Sequence, residues 1–338
     1  MKKNNILTSI RNILVPVLIC LVVALIIKIG QGAKNPITLP GISHPGEDAA
    51  SEESTAIGIM EDASLSVHII DVGQGSAALF YSDGEWMLFD GADRDYAQKV
   101  VAYLKEKGVD KLKYVIASHY DSDHISGIVG VLNTIPVESI FGPTYEADTR
   151  TYYSLMNKVK ENGLEMIMPP IGSEYSLGSA SFKVLAPIRQ YDEENANSIV
   201  IRISCAGKSI YLGGDQTEES ERDMIISTLG SGLKSDVLIV NHHGSSTSSS
   251  ALLLGAVRPS TVIISCGKNN EYGHPAKSVM NRLKVLGADL YRTDMQGEIL
   301  FSITKDGVAF EKEPINDYTP GEMPIGKVPY NIYKKKAA

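Results

Sequence analysis

The feature that most constrains the fold of this chain is a group of polar residues in the segment SHYDSDHISG, residues 118–127. Two imidazole and two carboxylate side chains fall within six positions, those of His119, Asp121, Asp123 and His124. The segment follows the apolar run LKYVIAS, which predicts a buried strand, and leads into HISGIVGVLNTI, which predicts a helix. Because ligands and catalytic groups gather at the ends of buried strands in α/β proteins, the segment predicts a metal site at a sheet edge.

Other strand ends carry the same kinds of side chain. The run SIYLGGD ends in Asp215, and the run VLIVN is followed by His242 and His243. Imidazole and carboxylate ligands without thiolate suit zinc, and suit manganese or iron nearly as well. Two ions can be held if a carboxylate bridges them, and Asp215 is the candidate bridge. The alternative is that the aspartates cap a turn or a helix and that the histidines are ordinary core or surface residues.

The hydrophobic pattern predicts an α/β fold with two sheets. Each half of the chain begins with alternating strand-like runs and continues with strand and helix units in alternation. Such a pattern favours two sheets packed face to face with helices outside. Cys205 and Cys266 lie in apolar strand-like runs and are expected in the core. With Cys20, they are too few and too scattered for a disulfide framework or a cysteine-based zinc site.

The N-terminal residues predict a membrane anchor. Residues 13–30 are apolar except for Lys28, close to the roughly 20 residues that cross a bilayer. A basic flank in residues 1–12 predicts that this end stays in the cytoplasm and that the rest of the chain lies on the extracellular side of the cell membrane. A signal peptide that is cleaved to release a secreted protein is the alternative.

Composition divides the rest of the chain into three parts. Residues 31–62 are rich in Gly, Pro, Ser and acidic residues and predict a flexible linker. Residues 63–312 predict the folded domain, and residues 313–338 a mobile tail. The formal net charge is −8, and because residues 1–30 contain four basic and no acidic residues, the remainder carries −12. Such a charge is not typical of a dedicated duplex-DNA-binding protein, although a local basic groove remains an open alternative.

Seven blocks in order resemble one family. SHYDSDHISG resembles the H-x-[HD]-x-D-H motif of the metallo-β-lactamase fold. The blocks HIIDVGQGSAALF, MLFDGA, NANSIVIRISCAGKSIYLGGD, LIVNHHGSSTSSS, SCGKNNEYGHP and YRTDMQGEILF resemble the extracellular hydrolase domain of ComEC-type competence proteins. The resemblance covers residues 64 to about 304. It implies a four-layer αβ/βα metallo-β-lactamase sandwich, preceded here by one transmembrane helix and a flexible linker.

The resemblance also implies a ligand set for two divalent ions. The first ion would be held by His119 and Asp121. The second would be held by Asp123, His124 and His242, with the Asp215 carboxylate bridging the two ions. His243 would orient a ligand or a bound phosphate. The chain departs from the family motif at two positions. Asp121 stands where a second histidine is usual, and Asn197 is the candidate for the position of the third histidine. Zinc is the expected metal. Manganese is the alternative, because oxygen donors favour manganese relative to zinc.

Several residues around the metals are expected to position groups or bind substrate. In DVGQGSA, the glycines form a tight turn that lets Asp71 and Gln74 approach the site; the segment lies between two strands, which argues against a nucleotide cofactor. The loop GKNNEYGHP brings Asn270, Tyr272 and His274 over the metals, where His274 could donate a proton or bind phosphate, or simply fix the loop. Ser245 is expected to hold a phosphate oxygen or to cap a helix.

These features predict a membrane-anchored, extracellular, metal-dependent phosphodiesterase, a nuclease that acts on DNA. Its catalytic residues would be Asp123, Asp215 and His274, with a hydroxide activated by two metal ions attacking phosphorus. One alternative is hydrolysis of a small or cell-surface ester or phosphoester, which the charge of −12 favours. Another is a tethered binding module without activity. The expected partners are a phosphodiester substrate and the membrane, and the sequence indicates no oligomeric state.

Overall fold

The structure, a computed structural model, describes residues 63–322. Within these residues the chain forms fifteen strands. In chain order they are β1 (Leu65–Ile69), β2 (Ala78–Ser82), β3 (Glu85–Phe89), β4 (Leu112–Ile116), β5 (Val137–Phe141), β6 (Met166–Ile167), β7 (Glu174–Leu177), β8 (Ala180–Ala186), β9 (Val200–Cys205), β10 (Lys208–Leu212), β11 (Val237–Ile239), β12 (Thr261–Ile264), β13 (Asp289–Arg292), β14 (Ile299–Thr304) and β15 (Gly307–Phe310).

The same residues form seven α-helices, most of which follow a strand. They are α1 (Ala97–Glu106), α2 (Ser122–Leu132), α3 (Arg150–Glu161), α4 (Glu218–Thr228), α5 (Ala251–Val257), α6 (Lys277–Leu286) and α7 (Thr293–Gln296). Short 3-10 turns at residues 195–197 and 241–244 lie beside the candidate site.

The strands make two sheets. The first has the order β15-β14-β1-β2-β3-β4-β5-β6, and the second has the order β13-β12-β11-β10-β9-β8-β7. The strands β3 to β6 run parallel to one another, as do the strands β10 to β13. All other neighbouring pairs are antiparallel. Because parallel strands end at the same edge, the loops that follow β3, β4, β10, β11 and β12 gather at one end of the domain.

Apolar residues explain why the sheets pack in four layers. Along β12, Ile263 belongs to the core between the two sheets, while its neighbours Val262 and Ile264 belong to the core under the helices. Alternate side chains of a strand point to opposite faces, so a continuous apolar strand is buried on both sides. A third apolar cluster lies between the first sheet and α1 to α3. The predicted two-sheet α/β sandwich with outer helices is confirmed, and Cys205 and Cys266 are buried as expected.

Part of the predicted mobile tail packs against the domain. Residues 313–322 are hydrogen bonded to strand and loop residues: Ile315 N–H donates to Leu290 O at 2.9 Å, and Gly321 N–H donates to Pro275 O at 2.9 Å. The prediction of a mobile tail is therefore wrong for these residues, because main-chain hydrogen bonds hold a segment that lacks apolar periodicity. The rest of that tail, residues 323–338, lies outside the described residues.

The predicted cytoplasmic N-terminus, membrane anchor and flexible linker, which together make up residues 1–62, also lie outside the described residues. Within residues 63–322, no helix is both long enough and apolar enough to cross a membrane.

Candidate metal centre

The SHYDSDHISG segment follows β4 and leads into α2. His119 and His124 are fully buried. Asp121 is the N-cap residue of α2, but its side chain makes no capping hydrogen bond. Its carboxylate Oδ2 instead lies 3.7 Å from His119 Nε2. Asp123, for which helix capping was the alternative interpretation, lies in the first turn of α2.

Asp215 stands at the centre of the candidate site. It follows β10 and is buried, and its Oδ1 lies 3.2 Å from His124 Nε2. Its Oδ2 lies 3.9 Å from His119 Nε2. The approach depends on Gly214, which has a φ of +53°; a Cβ there would lie 2.5 Å from Ser118 Cβ. Glycine therefore allows the two strand-end loops to touch and brings Asp215 to the histidines.

Two groups of side chains are compact enough to hold an ion. One contains His119, His124 and Asp215, and the other contains Asp123, His124 and His243, with all ligand atoms in a group within 4.8 Å of one another. The Nε2 atoms of His124 and His243 are 3.2 Å apart. Two nitrogen ligands on one tetrahedral zinc are separated by roughly 3.3 Å, given Zn–N bonds of about 2.0–2.1 Å. The spacing fits shared coordination of one ion.

The geometry exchanges the roles expected for the tandem histidines. His243, and not His242, lies in the group with Asp123, where its Nε2 is 3.4 Å from Asp123 Oδ2. In a regular strand, neighbouring side chains point to opposite faces, so only one of the two rings would face the site. Both histidines instead have left-handed backbone conformations, with φ of +53° for His242 and +54° for His243. These conformations turn both rings toward Asp215, at 3.3 and 3.5 Å respectively.

Buried atoms test whether these residues fit a metal. Within residues 63–322, His119 Nε2 and Asp215 Oδ1 are buried without a hydrogen-bond partner. Buried polar atoms are nearly always hydrogen bonded, so two orphaned atoms from residues of one ligand group are what a bound ion would satisfy. The donors are imidazole and carboxylate, the ligands that zinc and related divalent ions accept. The residues therefore fit a divalent metal ion.

Outer contacts orient two of the imidazoles. Asp90 Oδ2 lies 2.8 Å from His124 Nδ1, and Asp90 Oδ1 accepts the Ser118 N–H at 2.8 Å. His243 Nδ1 lies 3.0 Å from Ser265 O. Such contacts fix the ring so that the other nitrogen faces the metal. Asp90 was missed as a site residue, although its place at the end of a strand in MLFDGA gave the same signal as Asp215.

Carboxylates and imidazoles shift one another's pKa values in the candidate site. Burial lowers the pKa of His124, but Asp215, Asp90 and Asp123 outweigh burial and raise it well above its ordinary value. Burial raises the pKa of Asp215, but the surrounding imidazoles hold it well below its usual range. The site therefore favours positive charge among its carboxylates, as a cation site must.

The predicted role of Asn197 beside the metals is wrong. Its Oδ1 accepts the Tyr191 N–H at 2.8 Å, and its Nδ2 donates to Tyr191 O and Glu193 O at 2.9 Å. The amide is therefore used to fix the loop before β9, a common use of Asn in turns. In the same 3-10 turn, Asn195 Nδ2 lies 3.4 Å from His242 Nε2. Asn195, two positions earlier, is the residue that borders the site.

The glycine turn and the 270s loop meet beside the tandem histidines. Gln74 Oε1 accepts the Gly267 N–H at 3.2 Å, which leaves Gln74 Nε2 to donate to His274 Nδ1 at 3.4 Å. This hydrogen bond places the proton of a neutral His274 on Nε2. The His274 and His242 rings are 5.6 Å apart. Burial, together with His242 and His243, lowers the pKa of His274 to about 3, so its imidazole is neutral near pH 7.

The other predicted substrate residues support the loops. Asn270 Oδ1 accepts the N–H groups of Tyr272 and His274, and the Tyr272 ring stacks on His274 at 5.5 Å. Asp71 accepts the Gly73 N–H and so shapes the turn, with Lys99 3.9 Å away. It does not form part of the site floor as expected.

Ser245 does not cap a helix. Its Oγ lies 3.0 Å from Thr247 Oγ1, and Ser250 caps α5 instead by accepting the Leu253 N–H. A second residue absent from the predicted site is Glu221, fully buried on α4. Its carboxylate accepts hydrogen bonds from the N–H of Ser250 and from Asn241 Nδ2, which holds the tandem-histidine turn in place.

Comparison with known proteins agrees with this geometry. A profile of the metallo-beta-lactamase superfamily matches residues 70–268. The chain is 30% identical over 249 residues to Competence protein ComA of Neisseria gonorrhoeae, covering 73% of this chain and 33% of that protein. It is 27% identical over 254 residues to ComE operon protein 3 of Bacillus subtilis (strain 168), covering 70% of this chain and 32% of that protein. The chain thus spans about a third of the length of these relatives.

A solved structure supports the fold. CmlA, a diiron beta-hydroxylase from Streptomyces venezuelae, superposes with a TM-score of 0.50 at 11% identity, covering 71% of this chain and 54% of that one. At this identity the likeness concerns the fold alone. The profile match over more than half of the chain, together with the two-sheet sandwich and the strand-end ligands, shows that the chain belongs to the metallo-beta-lactamase superfamily and is related to competence proteins.

Proposed function

We propose that this protein is a membrane-anchored, extracellular phosphodiesterase that acts on DNA with two divalent metal ions. The observation that carries the proposal is the pair of ligand groups that overlap at His124, with Asp215 Oδ1 3.2 Å from His124 Nε2. The metallo-beta-lactamase superfamily supplies a metal-dependent hydrolase fold. The proposal adds two points to that fold, a phosphodiester substrate and a second metal ion.

The ligand groups divide between two ions. His119, Asp121 and Asp215 would hold the first, and Asp123, His124 and His243 the second, with Asp215 shared. When bound, a pair of such ions supplies an activated water and stabilises the charge that develops on phosphate oxygens. Asp90 holds the His124 ring, and the Gln74 and Asn270 contacts hold His274 at the rim. A neutral His274 with its proton on Nε2 can donate a hydrogen bond to a substrate oxygen there.

Two features bear on the substrate. The similarity to relatives that include Competence protein ComA supports DNA as the substrate. The charge of −12 beyond residue 30 supports a second candidate, a small or cell-surface phosphoester, because an acidic surface repels a polyanion. The proposed ions would have to offset that repulsion at the site itself. A third candidate, a binding module without activity, keeps the same ligands and differs only in turnover.

Nuclease and phosphodiesterase assays on the full chain in detergent test the substrate. We expect nicking of plasmid or degradation of single-stranded DNA with added zinc or manganese, and none with excess chelator. Asp215→Asn should abolish activity and lower the bound metal, because it removes the shared negative charge. Asp289→Asn, at the opposite end of the strands, is the matched control and should behave like wild type. Hydrolysis of bis(4-nitrophenyl) phosphate without any DNA cleavage would favour the small-ester candidate, and inactivity on both would favour the binding module.

The anchor has its own test. Residues 13–30 are the proposed span, and the basic residues before it would keep residues 1–12 in the cytoplasm. A cysteine introduced at an exposed position of the domain, such as Lys305→Cys, should react with a membrane-impermeant maleimide on intact cells. The protein should stay in the membrane fraction after a carbonate wash. Release into the medium would instead support a cleaved signal peptide.

A further inference from the structure

The two histidines of the tandem pair face different oxygens of one carboxylate. His242 Nε2 lies 3.3 Å from Asp215 Oδ2, and His243 Nε2 lies 3.5 Å from Asp215 Oδ1. Oδ2 also faces His119, and Oδ1 also faces His124. Each oxygen of Asp215 therefore meets one histidine from the SHYDSDHISG segment and one from the tandem pair. This pairing is what two ions on either side of a bridging carboxylate require.

The backbone is arranged to keep both rings at the site. His242 and His243 have φ and ψ of +53°, +44° and +54°, +20°. Consecutive left-handed residues other than glycine are uncommon, and such conformations gather at functional sites. The buried Glu221 carboxylate and Asn241 brace this turn. The turn thus presents two imidazoles where a strand would present one.

The four histidines around Asp215 share one hydrogen-bonding pattern. Nε2 faces Asp215, while an oxygen lies near Nδ1: Ser118 Oγ for His119 at 3.1 Å, Asp90 Oδ2 for His124 at 2.8 Å, Ser265 O for His243 at 3.0 Å and Thr247 Oγ1 for His242 at 3.3 Å. Metal-ligating histidines are oriented in this way, with the second nitrogen held by an oxygen. His242 therefore has the environment of a ligand as much as the other three do.

We propose that His242 supplies the imidazole that the first ion otherwise lacks, beside His119, Asp121 and Asp215. The proposal rests on the metal-dependent function above and deepens it. Asn195, whose Nδ2 lies 3.4 Å from His242 Nε2, borders the same place from the loop before β9. His242 belongs to neither compact ligand group, but its Nε2 and that of His119 face the same oxygen of Asp215, Oδ2, at 3.3 and 3.9 Å.

The assignment changes the expected metal preference. With Asn197 turned away and His242 included, each ion receives two imidazoles and two carboxylates, one of the carboxylates shared. More nitrogen in the first site favours zinc relative to manganese, whereas a site made of His119 and oxygen ligands would favour manganese. Both sites should then prefer zinc.

Metal counting on the full chain tests the assignment. After zinc loading and dialysis, wild type should retain two ions and His242→Ala one, as measured by mass spectrometry of the metal. The affinity for the weaker ion should fall more than about 100-fold, because loss of an orienting partner alone costs 10- to 100-fold. His274→Ala is the matched control, a neighbouring histidine that should leave both ions bound. Two ions with unchanged affinity in His242→Ala would overturn the proposal.

A second-site variant separates ligation from general damage. Asn195→His places an imidazole beside the same ion from the opposite loop, so it should return the lost ion to His242→Ala. If His242→Ala does not fold, X-ray absorption of zinc-loaded wild type decides the question. Four ligating histidines give two imidazoles per zinc on average, whereas three give one and a half, and the lower value would overturn the proposal.

The two proposals fail separately. A protein that binds two zinc ions through His242 but cleaves no phosphodiester contradicts the proposed substrate and leaves the ligand assignment intact. A protein that cleaves phosphodiesters with His242→Ala still holding two ions contradicts the assignment alone.

Discussion

Asp90 is the single residue whose effect on the site is easiest to isolate. It is fully buried, makes the short contact with His124 Nδ1 and is not itself a ligand in either group. We expect Asp90→Asn to lower zinc affinity by about 10- to 100-fold, because the neutral amide orients the ring less firmly. Competition with a chromophoric chelator measures the affinity. Asp95→Asn, on an exposed turn nearby, is the control, and equal affinities in the two variants would contradict the orienting role.

Protons and metal ions compete for the same histidines. In the ion-free protein the raised pKa of His124, held up by Asp215, Asp90 and Asp123 against the effect of burial, stabilises the fold fully below the ordinary histidine value. That stabilisation is lost as the pH rises through the raised pKa. Zinc replaces the proton, so the increase in Tm caused by zinc should be larger at about pH 8.5 than at about pH 5.5. Thermal unfolding with and without zinc at both pH values measures it; the opposite trend would contradict the competition.

Sequence reasoning brought together residues that one short segment positions, and it misplaced residues whose orientation depends on distant contacts. His119, Asp123 and His124 follow directly from the end of β4 and the start of α2. The orientation of Asn197 depends on carbonyl groups of the preceding loop, and that of His242 depends on a left-handed turn braced by Glu221. A side chain on a separate helix, such as Glu221 on α4, leaves no signal in the sequence next to His242.

At the scale of elements, α2 carries two of the candidate ligands and packs closely on the loop after β3. A Cβ on Gly127 would overlap the carbonyl oxygen of Gly91, and Gly91 N–H donates to His124 O at 2.6 Å. We expect Gly127→Ala to destabilise the fold by about 1–3 kcal/mol through overpacking. Gly255→Ala in α5, where a Cβ meets open space, should stabilise it by about 0.5–1 kcal/mol. Urea unfolding should give free-energy changes of opposite sign, and changes of the same sign would contradict this packing.

The segment after β15 is held by a buried charge. Arg292 is 1% exposed and pairs with Asp294 through two hydrogen bonds of 3.0 and 2.7 Å, and its third nitrogen donates to Asp317 O. Asp294→Ala would leave the guanidinium buried without its counter-charge. We expect a loss of about 3–5 kcal/mol in the free energy of unfolding. Asp306→Ala, on an exposed turn, is the control; a loss below about 1 kcal/mol for Asp294→Ala would show that the pair is dispensable.

Elements with strong periodicity were predictable, and those held by main-chain contacts were not. The strands β4, β10 and β11 and the helix α2 follow from apolar patterns that match their burial. Residues 313–322 have no such pattern, and what holds them is Arg292 and the backbone of Leu290 and Pro275. Composition alone therefore indicated a mobile tail.

For the whole molecule, the acidic charge predicts how DNA binding responds to salt. Binding through many Lys and Arg contacts to phosphates weakens by about 10³ to 10⁵ between 50 and 200 mM salt. With −12 beyond residue 30, we expect a much weaker dependence, less than about tenfold, because the ions at the site replace basic side chains. The KM for an oligonucleotide at the two salt concentrations measures it. A steep dependence would reveal a basic groove that the net charge conceals.

The sandwich itself was predictable because its layers come from patterns repeated over many residues, so errors in single elements do not change the result. The membrane anchor stays a prediction, which the maleimide-labelling and carbonate-wash experiments test.

The direction of the chain through the domain has a practical consequence. Ser64 N–H donates to Ile303 O at the start of β1, away from the candidate metal centre, whereas Gly321 N–H donates to Pro275 O next to His274. The described chain therefore begins at the end of the domain away from the candidate metal centre and reaches residue 322 beside it. A bulky fusion partner joined directly after residue 322 would crowd a macromolecular substrate more than a small chromogenic one, and a fusion before residue 63 would crowd neither. Purification tags for this domain belong at the entering end.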